Sequence, residues 1–269
     1  MRMRLLYRTI TTKVLGLLQS LKGADSPLLQ YVDRRSLLPP SALLRLGSAY
    51  GGWVIPADTL LSHGSVCYSA GAGEDISFDC SLVERFHCQV RVIDPTPRAI
   101  QHFNRLEQAL RSGGLFPINN SQSEHYTITK EDFRNIRLLP IGLSSKDAVL
   151  KFFLPRNPAH VSCSTANLQK TDKYFRAKCC RFLTIMKQQG DIAVDLLKMD
   201  IEGAEYGVIE DLVGSNQLPK LLLIEFDEVH SPQDASAGER IKCHIDMILG
   251  AGMRCIAVEG SNITFMRKS

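Results

Sequence analysis

Short apolar runs alternate with helical patterns along the chain from residue 65 onward. The apolar runs predict buried strands at 65–70, 88–94, 136–142, 193–200 and 219–226. Between them, apolar residues recur at helical spacing, as Phe78, Leu82 and Phe86 do. This alternation predicts an α/β domain with a doubly wound, parallel sheet, and the apolar runs at 253–258 and 262–267 predict a closing antiparallel hairpin.

Three segments depart from this alternation. Residues 112–135 are polar and rich in turn-forming residues, and residues 155–180 are largely irregular, so both are predicted to be insertions. The apolar run 181–186 after the second insertion predicts a further strand. We divide the chain into an N-terminal helical extension at 1–50 and one domain at 51–269.

The N-terminal segment has the pattern of an amphipathic helix with a basic face. Leu6, Ile10 and Val14 recur at helical spacing, and Arg and Lys residues surround them. Such a helix packs on its own domain or on a second subunit, or it contacts a membrane surface peripherally. Its apolar runs are too short to span a bilayer.

Composition narrows the functional class. The chain has 269 residues and a formal net charge of +4, without a run of five like charges, which disfavours a nucleic-acid-binding protein. Its eight cysteines form no CxxC pair, which disfavours a zinc site. Because we find no signal-peptide pattern, we expect reduced thiols and a cytoplasmic location.

Ligands of doubly wound sheets bind beyond the carboxyl ends of the strands. Four predicted strand ends carry polar or glycine-rich segments, namely 71–75, 94–97, 200–205 and 225–230. At the first, Gly71-Ala72-Gly73 lets the backbone approach a ligand, although it also fits a plain strand-to-helix turn.

Asp94 ends the second strand, about twenty residues after the glycine loop. A carboxylate at this place accepts hydrogen bonds from the hydroxyls of an adenosine ribose. It is equally placed to cap the helix that begins near Pro97. Together the two strand ends predict an adenosine-containing cofactor, with NAD(P) and S-adenosylmethionine both open.

The third strand end carries the most specific pattern, "KMDIEGAE" at 198–205. With "VIDPTP", "LPIGLSSKD" and "LLLIEF", it resembles the FkbM-type family of class I S-adenosylmethionine-dependent methyltransferases. The resemblance covers about 51–265 and implies a Rossmann-like, mostly parallel seven-stranded sheet. It also implies O-methylation of a hydroxyl on a small molecule, sugar or glycan-type acceptor. We therefore expect the cofactor to be bound by Gly71, Ala72, Gly73, Glu74, Asp94, Pro95, Gly142 and Asp200.

One position departs from the class I pattern. These enzymes usually carry an acid two residues before the first glycine, where this chain has Ser69. Glu74 or Asp75 is a candidate to replace that acid near the sulfonium or amino group of the cofactor, and Asp75 is also placed to cap the following helix.

Transfer of a methyl group to an alcohol needs a base to take the proton. The candidates are Asp200 and Glu202 at the third strand end and His230 after the fifth strand. Alternatively, Asp200, Glu202, Glu225 and Asp227 hold a Mg²⁺ ion, or some of them form ion pairs. The insertions at 112–135 and 155–167 are predicted to contact the acceptor.

Two other functions compete with this interpretation. A nicotinamide-dependent oxidoreductase fits the glycine loop with Asp94, but residue 76 is isoleucine where the third glycine of GxGxxG would stand. A catalytically silent adenosine-binding module fits the unusual Ser69 and Asp75.

Overall fold

A computed structural model describes residues 26–59, 61–121, 123–155, 163–165 and 171–268. The predicted N-terminal amphipathic helix and most of the predicted acceptor loop 155–167 lie outside these residues. No helix in the described ranges is long and apolar enough to cross a bilayer.

Twelve strands, six α-helices and five short 3₁₀ turns make up the regular structure of the described residues. The strands are β1 Leu43–Leu46, β2 Trp53–Pro56, β3 Val66–Ala70, β4 Gln89–Ile93, β5 Ile136–Leu139, β6 Gly142–Leu143, β7 Ala148–Phe153, β8 Tyr174–Cys180, β9 Leu196–Met199, β10 Leu221–Glu225, β11 Met253–Glu259 and β12 Asn262–Arg267. The helices are α1 Ser77–Phe86, α2 Pro97–Arg111, α3 Lys130–Phe133, α4 Phe182–Gln189, α5 Glu205–Gly214 and α6 Ala237–Gly250.

Seven strands form the central sheet in the order β11-β12-β10-β9-β3-β4-β5. Strands β3, β4, β5, β9 and β10 run parallel, and β12 pairs antiparallel with both β10 and β11. The predicted mostly parallel seven-stranded sheet with a C-terminal hairpin is therefore confirmed. Strand β9 is buried along its whole length, as an inner strand covered on both faces must be.

Each face of the sheet carries its own hydrophobic cluster. On one face, α1 and α2 contribute Phe78 and Phe103. On the other, α5 and α6 contribute Val208 and Ile245. The apolar stripe of each helix is thus buried against the sheet, which accounts for the helical spacing in the sequence.

The order of the strands reverses between β3 and β9. The chain builds β3, β4 and β5 outward, and then returns to add β9 on the other side of β3. Ala70 and Met199 pair at the ends of these two strands, so the segments that follow them begin side by side. Such a reversal leaves a crevice at the carboxyl ends of the strands.

The predicted strand at 181–186 is wrong, since the segment begins helix α4. Phe182, Ile185 and Met186 are buried at helical spacing, and Gly190 ends the helix with φ +75°. A short apolar run does not distinguish a strand from a buried helix. The strand in this region is β8, which lies inside the predicted insertion and pairs with β6 and β7 in a separate three-stranded sheet.

The predicted helical extension also differs from the structure in its described part. Residues 26–50 hold three 3₁₀ turns and strand β1, rather than α-helix. Strand β1 pairs antiparallel with β2, so the hairpin crosses the predicted boundary between residues 50 and 51. This hairpin brings Trp53, which is buried, into the wall of the crevice.

Candidate active site

The glycine loop after β3 is held by Asp94 at the end of β4. One carboxylate oxygen of Asp94 accepts hydrogen bonds from the backbone N–H of Ala72 at 2.9 Å and of Gly73 at 3.0 Å. The other oxygen accepts from the N–H and the hydroxyl of Thr96, at the start of α2. A carboxylate offers about four acceptor sites, so the chain itself uses those of Asp94. Asp94 therefore fixes the conformation of the glycine loop. Contact of the Asp94 carboxylate with a cofactor ribose stays a prediction.

Gly71 is required by the close approach of two strand ends. Its φ is +81°, and a Cβ atom built there would lie 1.7 Å from the carbonyl oxygen of Asp200. Only glycine fits such a left-handed position against another backbone. The glycine loop and the Asp200 segment therefore form one continuous wall of the crevice.

Glu74 and Asp75 both face partners within the protein. Glu74 accepts a hydrogen bond at 2.5 Å from Arg98 in α2. Asp75 accepts from the N–H of Ser77 at 2.9 Å and from the hydroxyl of Ser48 at 2.6 Å. Asp75 therefore stabilises the start of α1 and attaches the β1–β2 turn to it, in line with the capping alternative.

Carboxylates gather at the ends of β9 and β10. Asp200, Glu202 and Asp227 each place one carboxylate oxygen within 4.8 Å of the other two. Burial and the charge of Glu202 raise the pKa of Asp227 to about 10. Burial and the charge of Asp200 raise the pKa of Glu225 to about 7. Like charges at this distance disfavour full ionisation, so the group attracts protons or cations.

The backbone of the Asp200 segment is strained at Glu202. Its φ is +52°, a left-handed value that residues other than glycine rarely adopt. The Ser164 hydroxyl donates to the carbonyl of Glu202, and the Glu205 carboxylate accepts from the N–H of Gly203 at 2.8 Å. Strain of this kind, held by surrounding contacts, clusters at functional sites.

These elements surround one cavity of about 510 Å³. The ten residues proposed from the sequence for cofactor binding or proton transfer all lie in its wall, namely Gly71, Ala72, Gly73, Glu74, Asp94, Pro95, Gly142, Asp200, Glu202 and His230. Of the other candidate acids, Asp75 and Glu225 line the cavity and Asp227 does not. The two insertions reach it as well, through Asn119 and through Cys163 and Thr165. The position of each residue is thus as expected, while its role in binding or catalysis stays a prediction.

Sequence reasoning missed several lining residues. Tyr50 and Trp53 come from the β1–β2 hairpin, and Ser261 and Asn262 come from the C-terminal hairpin. No motif marks these positions, because they reach the cavity only through the packing of distant segments. The Gly51-Gly52 pair was the one local sign, since a Cβ at Gly51 would clash with the Asp75 carboxylate.

The sequence pattern of the methyltransferase FkbM domain matches residues 88–251, which is more than half of the chain. The chain belongs to the FkbM methyltransferase family. It is therefore a member of the S-adenosylmethionine-dependent methyltransferases, as the motif at 198–205 had indicated. The FkbM match begins after the glycine loop, so the place of Gly71 and Gly73 in the site rests on the geometry above.

Solved structures offer more distant likenesses to this FkbM protein. Fibrillarin from Aeropyrum pernix, in complex with S-adenosyl-L-methionine, is 11% identical, with 77% of this chain and 67% of that chain covered and a TM-score of 0.38. The fibrillarin pre-rRNA processing protein of Methanococcus jannaschii is 12% identical over the same shares, with a TM-score of 0.39. A comparison with curated proteins finds no match. Similarity this low carries no inference about ligand or activity.

Proposed function

We propose that this FkbM protein transfers a methyl group from S-adenosylmethionine to a hydroxyl oxygen of a small-molecule, sugar or glycan-type acceptor. The observation that carries the proposal is the single cavity in which the glycine loop and the carboxylates of the Asp200 segment share one wall. A cofactor held at the loop and an acceptor held at the carboxylates would meet there. Holding two reactants side by side is the main requirement for an in-line methyl transfer.

The residues at the glycine loop suit the cofactor. The left-handed Gly71 lets the glycine loop lie directly against the Asp200 segment, so a cofactor at the loop would lie next to the candidate base. Pro95 and Gly142 line the cavity with uncharged surface, and Glu74 lines the same cavity. S-adenosylmethionine, when bound, supplies an electrophilic methyl group on a positively charged sulfur. The acidic surroundings favour that positive charge.

The charge of the cavity supports an uncharged acceptor. Seven acidic side chains line its described part, namely Glu74, Asp75, Asp94, Asp200, Glu202, Glu225 and Glu259. The two lining side chains of Lys and Arg are ion-paired, Lys198 with Asp200 and Arg45 with Glu259. Phosphate or carboxylate acceptors would therefore be repelled, while hydroxyl groups can donate hydrogen bonds to these carboxylates.

We propose Asp200 or Glu202 as the base that takes the acceptor proton, with His230 as a second candidate. Asp200 and Glu202 follow directly from the buried strand β9, so their backbone is held firmly at the cavity. His230 lies at the rim and is exposed. If Glu202 serves this role, Glu202→Gln should lower kcat while cofactor affinity stays within about threefold of the parent, whereas Asp200→Asn, at a residue also expected to bind the cofactor, should lower both kcat and cofactor affinity.

A Mg²⁺ ion is a further proposal for the same acids. Asp200, Glu202 and Asp227 offer hard oxygen ligands close together, and the buried Oδ2 of Asp227 has no hydrogen-bond partner among the described residues. They would hold the ion, and the ion would lower the pKa of a hydroxyl bound to it. Calorimetric titration of chelator-treated protein with MgCl₂ tests this: no heat, and full activity in excess chelator, would rule the ion out.

The first test of the function is a calorimetric titration with S-adenosylmethionine, its demethylated product and NADH. We expect the first two to bind and NADH not to bind. Asp94→Ala should weaken both, because Asp94 orders the glycine loop, whereas the control Asp195→Ala, at the opposite end of β9, should not. Binding of NADH alone would instead support a nicotinamide-dependent enzyme.

Turnover separates the enzyme from a silent cofactor-binding module. The parent protein with labelled S-adenosylmethionine should transfer label to neutral polyhydroxylated compounds, with mass spectrometry locating the methyl group on oxygen. Transfer to an amine nitrogen would contradict the O-methyl assignment. Cofactor binding without transfer to any acceptor class would favour the silent module.

A further inference from the structure

A buried carboxylate follows directly after Asp227 in the chain. Glu228 belongs to the 3₁₀ turn Asp227–Val229, which comes after strand β10, and its side chain is 2% exposed. It does not line the cavity. Because a buried carboxylate is costly unless it is paired and hydrogen-bonded, its partners show which parts of the fold it holds together.

Four hydrogen bonds occupy the two oxygens of Glu228. Oε2 accepts from the hydroxyl of Tyr206 at 2.9 Å and from Nε of Arg240 at 2.9 Å. Oε1 accepts from Nη2 of Arg240 at 2.6 Å and from the backbone N–H of Gln233 at 3.1 Å. Tyr206 lies in the first turn of α5 and Arg240 lies in α6, so this one carboxylate joins the turn after β10 to both helices.

The turn that contains Glu228 also carries two groups of the candidate site. Asp227 is one of the three clustered carboxylates, and His230 lines the cavity. The backbone N–H groups of residues 229–231 donate to carbonyl oxygens of residues 226 and 227, within the same segment. Among the described residues, the hydrogen bonds from this turn to α5 and α6 are those of Glu228.

The place that Asp227 occupies is unfavourable for a carboxyl group. Its oxygen lies within 4.8 Å of those of Asp200 and Glu202, and carboxyl groups this close repel one another or must take up protons. Oδ2 of Asp227 is also buried without a hydrogen-bond partner among the described residues. Both effects favour movement of the turn away from the cluster. The hydrogen bonds of Glu228, two of them from a guanidinium group, oppose that movement.

We propose that Glu228 is a positioning residue that keeps Asp227 within the carboxylate cluster and His230 in the cavity wall. The inference rests on the proposed function in one respect, namely that the acids of the cavity act on an acceptor. The hold on Asp227 does not depend on which ligand binds. Stability and kinetics therefore test the two parts separately.

A double-mutant cycle on stability tests the hold on Asp227. Urea unfolding at neutral pH gives the unfolding constants of the parent, Asp227→Asn, Glu228→Gln and the double variant. In the parent, Asp227→Asn should lower the unfolding constant about tenfold, because it removes a carboxyl group from the cluster. In Glu228→Gln the same substitution should change the constant by less than about twofold, because the turn has already moved away. The control Asp234→Asn removes the other carboxylate bound to Arg240, which is 59% exposed, and should leave the tenfold effect intact.

Kinetics test the consequence for the site, with the neutral polyhydroxylated compound that the parent methylates best as acceptor. Glu228→Gln should lower kcat by at least about tenfold, because displaced acids no longer face the acceptor correctly. Its affinity for S-adenosylmethionine, measured by calorimetry, should stay within about twofold of the parent, because the glycine loop is fixed by Asp94 instead. Tyr206→Phe removes one of the four donors and keeps the ring, so it should give an intermediate kcat. Asp234→Asn should match the parent in both measurements.

The outcomes are distinct. If Asp227→Asn has the same effect on stability in the parent and in Glu228→Gln, Glu228 does not hold Asp227 and the inference is wrong. If the cycle shows coupling but Glu228→Gln keeps the kcat and acceptor KM of the parent, the role is purely structural; the inference is then wrong and the proposed function stands. If Glu228→Gln does not fold, Tyr206→Phe takes its place in both experiments. A parent that methylates no acceptor would overturn the proposed function and the inference with it.

Discussion

Replacing Asp79, a buried acid in the first turn of α1, by asparagine should make the protein more stable at neutral pH. Burial raises the pKa of Asp79 from 3.8 to about 6, against the opposing charge of Lys198. The folded state therefore binds the proton more tightly than the unfolded state does. As the pH rises from 3.8 to about 6, Asp79 ionises in the unfolded state before it ionises in the folded state, so the unfolding free energy falls. Above about pH 6 Asp79 is ionised in both states, and the full loss of unfolding free energy is present.

The magnitude follows from the size of the shift. Two pKa units correspond to about 3 kcal/mol at high pH, because each unit is worth about 1.4 kcal/mol. Part of this cost is already present at pH 5, since an unfolded Asp is ionised there. The change between pH 5 and pH 8 is therefore about 1.4 kcal/mol. Asparagine has nearly the same shape as aspartate and no charge, so the unfolding free energy of Asp79→Asn lacks this change with pH.

Urea unfolding of the parent and Asp79→Asn at pH 5, 6, 7 and 8 measures the effect. The difference in unfolding free energy between variant and parent should rise with pH by about 1.4 kcal/mol and level off above pH 7. Asp195→Asn serves as the control for substitution of a partly buried acid. A difference that is flat with pH, or one that falls, would contradict the burial of an ionised Asp79.

Three further predictions concern the cavity wall. Gly71→Ala should abolish cofactor binding because the added Cβ would meet the Asp200 carbonyl oxygen. The control Gly113→Ala has a similar φ of +71° but open space around the added Cβ, so it should lower the unfolding free energy by only about 1 kcal/mol. Glu202→Gly should stabilise the fold by about 0.5 kcal/mol relative to Glu202→Ala by relieving a φ of +52°, yet be as inactive in methyl transfer. Tyr50→Ala should raise KM without changing the unfolding free energy, since Tyr50 is 71% exposed at the cavity; equal kinetic constants would exclude it from ligand contact.

Part of the candidate site could be predicted because its residues directly follow buried strands. Gly71 follows β3 and Asp200 follows β9, and parallel strands bring their carboxyl ends to the same edge. Local patterns are enough for this step. They do not reveal that Asp94 binds the glycine loop, since that contact depends on side-chain geometry between two strand ends.

Other features depended on contacts between distant segments. The run 181–186 forms a helix because packing decides between helix and strand when the apolar run is short. Strand β8 follows a long irregular stretch, so its pairing with β6 and β7 is non-local. Asp79 resembles an ordinary acid in the first turn of a helix, and only its burial, at 3% exposure, distinguishes it.

The sequence by itself determined the doubly wound sheet, the closing hairpin, the family motif at 198–205 and the strand ends that meet at the crevice. It did so because apolar periodicity fixes which surface of each element is buried. The tertiary structure alone decided which carboxylates line the cavity and which face the protein. The charge environment of a side chain depends on neighbours that are far away in the chain, as Lys198 and Asp79 are.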